Sequence, residues 1–136
     1  MRLKHFSLPV GINIFKCFSD TSRARIIHLL YQNQQMCTSD LELVLDFTQT
    51  KTSRHLIYLK NAGLLQTKKL DQWTFYEIKE EVSDIVQRLL QYLGKDVTLQ
   101  KDQEVYRILH SNRELAVCKI DARKWQKFTH ATDNLL

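Results

Sequence analysis

The chain has 136 residues, 43% of them hydrophobic, and a formal net charge of +5. That length suits one domain, and that apolar content excludes an extended disordered chain. No apolar run approaches the ~20 residues that span a bilayer, and the N-terminal stretch is interrupted by Pro9, Gly11 and Asn13, so neither a membrane span nor a signal peptide is expected and the cytoplasm is the expected location.

Three Gly and one Pro are few for this length and predict a mainly α protein with short connections. Val10, Ile14, Phe15 and Phe18 recur at near-helical spacing over residues 10–18. Ser19-Asp20-Thr21-Ser22 follows with residues that cap helices. A second helix is expected to bury Ile26, Ile27 and Leu30 and to leave Arg23 and Arg25 outside, ending at the polar Asn33-Gln34-Gln35. Ser39 and Glu42 have the spacing of a capping box, and Leu41, Val44 and Leu45 form one face of a short third helix.

Thr48 is the expected N-cap of a fourth helix from about Gln49 to Ala62, with Thr52, Leu56 and Leu59 as its inner stripe. Gly63 stands where a helix exit calls for a left-handed residue. Two strands follow, roughly residues 65–69 and 73–78, joined by Leu70-Asp71-Gln72. Val82, Ile85, Val86, Leu89, Leu90 and Leu93 then repeat through a helix from Glu80 to Leu93, stopped by Gly94. Beyond it, Val105, Ile108 and Leu109 predict another helix, with Leu115, Ala116, Val117 and Ile120 as a continuation and fraying from about Thr129. The order of helices and hairpin is that of a winged helix-turn-helix with additional C-terminal helices. Residues 1–94 read as a DNA-binding and dimerisation domain, and residues 95–136 as a helical extension packed on it.

From Phe47 to Leu70 there is no Asp or Glu, while Lys51, Arg54, His55, Lys60, Lys68 and Lys69 fall in that stretch. Cations set against phosphates supply most of the affinity of proteins for DNA. Base reading needs mixed donors and acceptors at the exposed N-terminal half of a helix in the major groove. Gln49, Thr50, Lys51, Ser53, Arg54 and His55 are the candidates, with Lys68 and Lys69 on the hairpin for a flanking backbone or minor groove. Basic helix faces are common, so charge alone leaves a merely solvated face open.

The segment Ile14-Phe15-Lys16-Cys17-Phe18-Ser19-Asp20-Thr21-Ser22-Arg23-Ala24-Arg25-Ile26 resembles the opening helices of ArsR-type (arsenic-repressor-like) regulators. Cys37-Thr38-Ser39-Asp40-Leu41 resembles the start of their third helix. Thr52-Ser53-Arg54-His55-Leu56 and Leu59 to Leu65 resemble their recognition helix and its exit, and Trp73-Thr74-Phe75-Tyr76 their wing. The resemblance covers roughly residues 10–93. It implies a homodimer, formed through the first helix and the helix after the wing, that sits on a double-stranded DNA operator and represses until an inducer binds. Neither inducer nor operator is identified by these residues.

Arsenic- and cadmium-type relatives place Cys-x-Cys at the start of the third helix, where this chain has Cys37 and Ser39. A hydroxyl is a poor ligand for soft metals. Zinc-type relatives place Asp and His on the helix after the wing, where this chain has Asp84 but no His between Glu80 and Leu93. His5, His28, His110 and His130 have no ligand spacing and read as surface or packing residues, so no metal and no cofactor is expected. Cys17 reads as core. Cys37, near a helix N-terminus, would feel the dipole, which can lower a thiol pKa and makes it the candidate sensor thiol, while inert burial is the favoured reading.

The sequence thus points to a DNA-binding transcription regulator, a homodimeric repressor. The alternatives are a winged-helix protein-interaction module without DNA affinity and a thiol- or redox-responsive repressor using Cys37. No phosphate-binding Gly loop or nucleophile–base pair marks an enzyme. Trp125 with Lys124 and Lys127 reads either as an extra nucleic-acid contact or as part of a packing helix, the second being favoured because a helical Trp more often packs.

Overall fold

Every early helix starts where a short polar side chain satisfies an orphan backbone N–H, with one exception at the third. In the computed structural model, which describes residues 6–125, Ser7 caps α1 (Leu8–Phe18), and the Asp20 carboxylate accepts the Arg23 N–H at 3.0 Å to open α2 (Thr21–Asn33). A two-residue strand β1 (Met36–Cys37) leads into α3 (Thr38–Leu45), which stops at Asp46 in the left-handed region, φ 56°. Thr48 Oγ1 accepts the Lys51 N–H at 3.2 Å and starts α4 (Gln49–Asn61). The turn between α3 and α4 is therefore three residues long, as a helix-turn-helix requires.

The exit of α4 turns on Gly63, φ 85°. Its N–H bonds to Lys60 O and the Leu64 N–H to Leu59 O, the paired bonds of a Schellman ending. Strands β2 (Leu65–Leu70) and β3 (Trp73–Ile78) then pair antiparallel from Leu65–Ile78 to Leu70–Trp73, with Asp71 at φ 54° in the two-residue turn. β1 adds to the other side of β3 through Met36–Tyr76 and Cys37–Phe75, giving the sheet order β1-β3-β2. α5 (Glu80–Leu93) and α6 (Val97–Ser111), the latter capped by Asp96, follow the hairpin, and a 3₁₀ turn spans Ala116–Lys119.

α2 is the central helix. Ile26, Ile27, Leu29 and Leu30 are buried among Leu41 and Leu45 of α3, Leu56 and Leu59 of α4, Leu64, Leu65 and Val86. Each fully buried Leu or Ile contributes roughly 1.5–3 kcal/mol, so this cluster dominates the stability and fixes α4 against the body. α6 lies along α2, joined by a two-pronged Arg25–Asp102 pair at 2.9 Å and by reciprocal Asn33–Gln103 amide bonds.

The mainly α architecture with a wing follows the sequence expectation, with four differences. Arg23 and Arg25 are not free on the outside of α2. Arg23 bonds to Lys16 O and Cys17 O, and Arg25 to Asp102. The Ser39–Glu42 capping box does not cap α3. Pairing with β3 holds Met36 and Cys37 extended, so the helix begins earlier, with Cys37 as its N-cap and no side-chain cap bond. β1 itself is too short to carry a hydrophobic period and has no signal in the sequence. The segment after α6 is not a continuous helix, because Arg113 turns to φ 58° before the 3₁₀ turn. His5, His130, Lys127 and the fraying expected from Thr129 lie outside the described residues.

Candidate nucleic-acid interface

The packing of α4 sorts its residues into two faces. Thr52, His55, Leu56 and Leu59 are buried, and Thr52 Oγ1 donates to Thr48 O at 2.9 Å, which ties the inner face to the cap. Gln49, Thr50, Arg54, Ile57 and Lys60 are exposed. Thr50, Arg54 and Ile57 stand at i, i+4 and i+7 and so form one outward stripe. Ser53 and Lys51 are half-buried at its edges. The Lys51 Nζ lies 4.0 Å from the Phe47 ring centroid, and the Arg23 guanidinium lies 4.1 Å from that of Tyr58. These cation–π contacts restrain side chains at both ends of the exposed face.

Two of the sequence candidates do not stand on this surface. His55 is only 6% exposed and is turned inward. It sits three residues after Thr52, which brings it onto the edge of the inner stripe rather than the reading face. Burial pushes its pKa down, partly offset by the Asp20 carboxylate and reinforced by Arg54, Arg23 and Lys51. Lys68 is not a loose cation at the hairpin. Its Nζ pairs with Glu77 Oε2 at 2.9 Å, both side chains are largely covered, and Gln66 donates to the other oxygen of Glu77 at 2.6 Å. Lys69, pointing the other way by strand alternation, is exposed.

Ile57 and Tyr58 were not among the sequence candidates. Ile57 is 54% exposed on the outward stripe, and an apolar side chain there suits the methyl group of a thymine. The spacing from Thr50 and Arg54 was the available signal.

Of the two readings of Cys37, burial is the one its surroundings favour. It is 3% exposed, with its Sγ 3.1 Å from Ser39 Oγ. Burial pushes its thiol pKa up, opposed by the Ser39 hydrogen bond and helped by the nearby Asp40 carboxylate. Desolvation therefore outweighs the start of α3, against the alternative of a thiol activated by the helix dipole. Cys17 is fully buried, and its thiol is likewise raised by burial. Cys118 is half-buried, with Sγ 3.6 Å from His110 O. Among the described residues no three His, Cys, Asp or Glu side chains converge as a metal site, and no helix is long and apolar enough to cross a membrane.

Comparison with known proteins places this geometry in context. Residues 20–67, from the N-cap of α2 to the start of the wing, match the bacterial regulatory protein, arsR family. The chain is 36% identical over 77 residues to the arsenic resistance transcriptional regulator ArsR1 of Pseudomonas putida, covering 57% of this chain and 60% of that protein. It is 34% identical over 92 residues to ArsR2 of the same organism, covering 68% of this chain and 76% of that protein. Its fold is similar to a homodimeric winged helix-turn-helix DNA-binding domain from Mycobacterium bovis, a possible ArsR-family regulator, with a TM-score of 0.57 at 23% identity over 64% of this chain and 80% of that one. The alignment thus leaves about two fifths of ArsR1 unmatched.

Proposed function

Because the chain belongs to the ArsR family of bacterial regulatory proteins, we propose that it is a sequence-specific DNA-binding transcription regulator, a cytoplasmic homodimeric repressor released by an inducer. The observation that carries the reading is the outer face of α4: Gln49, Thr50, Arg54 and Ile57 stand exposed on a helix whose inner face is locked, in a stretch without a carboxylate. Arg54 has the fork geometry to read a guanine edge, and Gln49 suits an adenine. Lys51 and Lys69 supply phosphate contacts, while the 3.2 Å Thr48 cap holds the first turn in place. His55 and Lys68 act instead inside the protein, fixing helix and hairpin.

The homodimer is supported by α1. Leu8, Ile12 and Phe15 stand at i, i+4 and i+7 and are 78%, 44% and 55% exposed, an apolar stripe that the described residues leave uncovered. Leu93 and Tyr92 are exposed at the end of α5. A twofold interface through these helices buries the stripe and sets two copies of α4 for two half-sites.

A thiol-responsive mechanism through Cys37 draws no support from a buried thiol with a raised pKa. A gel shift on the DNA upstream of the protein's own gene tests the main reading. Binding that weakens steeply with salt and survives excess unrelated duplex is expected. Absence of any shift at low salt is the outcome that removes it, and leaves the protein-interaction alternative.

A further inference from the structure

Residues 112–125 lie beyond the stretch that matches the family, and they are wound onto the wing. The buried Asp40 carboxylate of α3 accepts the backbone N–H groups of Ala116 at 2.6 Å and Val117 at 3.3 Å. Ala116 and Ile120 pack with Cys37 of β1 and Phe75 of β3. Residues 122–125 are helical, and Trp125 meets Phe75 edge to face, ring centroids 5.1 Å apart. The segment then reaches the hairpin tip: the Lys119 Nζ lies 6.0 Å from the Trp73 ring centroid, and Lys124 pairs with Asp71.

This arrangement changes the charge at the wing. Asp71 is the carboxylate of the hairpin turn, and it faces Lys124. Within residues 119–124 the one acid, Asp121, is held by Arg123 at 3.5 Å. Arg123 is 90% exposed at its side chain, and Lys119 is exposed. Resting on the DNA-binding reading of α4, we propose that residues 119–124 are a second cationic contact to the DNA backbone beside the wing. Lys119 and Arg123 meet phosphates, and Lys124 removes the repulsion between Asp71 and the duplex. A strap that only stiffened the hairpin would need Asp40, Ile120 and Trp125, but not exposed cations around its tip. Because the segment is already fastened at three places, little ordering entropy remains to be given up when it meets a phosphate.

The test uses the full chain and a duplex recovered by selection from random-sequence DNA, with affinity measured by fluorescence anisotropy across a salt series. Lys119→Gln with Arg123→Gln is expected to weaken binding and to flatten the salt dependence by roughly 0.9 in log–log slope for each phosphate that is no longer neutralised. The selected sequence should stay the same, since phosphate contacts position but do not specify. Lys124→Gln should also weaken binding, and adding Asp71→Asn should recover part of that affinity. Arg54→Ala runs in parallel. If Arg54→Ala weakens binding while the Lys119/Arg123 variant keeps the parent affinity and slope, the second contact is overturned and the α4 reading stands. If the parent protein recovers no duplex, both fall. A double Lys124/Asp71 variant no better than Lys124→Gln overturns the neutralising role of Lys124.

Discussion

The Asp40 carboxylate, fully buried at the first turn of α3, accepts the N–H of Ala116 at 2.6 Å from 76 residues further along the chain. Burial pushes its pKa up, while the N–H groups of Ala116 and Val117 and the neighbouring Cys37 pull it back. One side chain thereby joins the first helix of the helix-turn-helix to the strap over the wing. Asp40→Ala leaves two covered N–H groups without an acceptor, a change expected to cost roughly 2–4 kcal/mol. Asp40→Asn keeps one acceptor oxygen and should cost less. Urea unfolding measures both, and a red shift of Trp73 and Trp125 fluorescence in the Ala variant would report release of the strap.

Acidification should destabilise the protein through two histidines. His28 is 3% exposed, its Nδ1 has no hydrogen-bond partner among the described residues, and burial lowers its pKa against the pull of Asp102. His55 is lowered for the same first reason. A depressed folded pKa means the unfolded chain takes up the proton first, near the ordinary value of 6.5. The stability is therefore complete above that value and lost as pH falls through the folded pKa. Asp40, raised, acts in the opposite sense, adding stability as pH falls through its folded pKa. Urea midpoints between about pH 7.5 and pH 5.5 should fall for the parent, and His28→Leu should flatten the fall.

Arg54→Ala is expected to cost ~1–3 kcal/mol of DNA affinity and to relax preference at one base pair. Lys51→Gln should weaken all sequences alike. Binding selection on each variant separates the two roles, and an unchanged recovered sequence for Arg54→Ala would remove it from base reading.

Ile12→Glu with Phe15→Glu places carboxylates on the exposed stripe of α1, away from the buried Ile14 and Cys17. The variant should stay folded by circular dichroism, sediment as a monomer, and lose operator affinity well over tenfold because paired half-sites are no longer bridged. A dimer that survives these changes places the interface elsewhere.

Thiol labelling should follow burial. Cys118, half-buried, is expected to react first with a maleimide in the native protein, while Cys37 and Cys17 react fully only in denaturant. Intact-mass spectrometry followed by peptide mapping identifies the order. Native labelling of Cys37 at the rate of a free thiol would contradict its shielded position.

Local chemistry determined much of this protein. The caps Asp20 and Thr48, the left-handed Gly63 and the apolar repeat of residues 80–93 fix where helices start and stop, because these signals act over one or two turns and need no distant partner. The absence of carboxylates from Phe47 to Leu70 likewise marks the basic stretch in the sequence itself. Contacts across the chain decided the rest. Pairing with β3 makes Met36 and Cys37 a strand, the packing of α4 turns His55 inward, and Glu77 draws Lys68 from the hairpin surface. Burial set by those contacts also decided between the two readings of Cys37, since desolvation depends on what covers a thiol rather than on the helix that follows it. The strap from Ala116 to Trp125 is the largest such case, because its anchors, Asp40 and Phe75, lie far earlier in the sequence and no local pattern connects them.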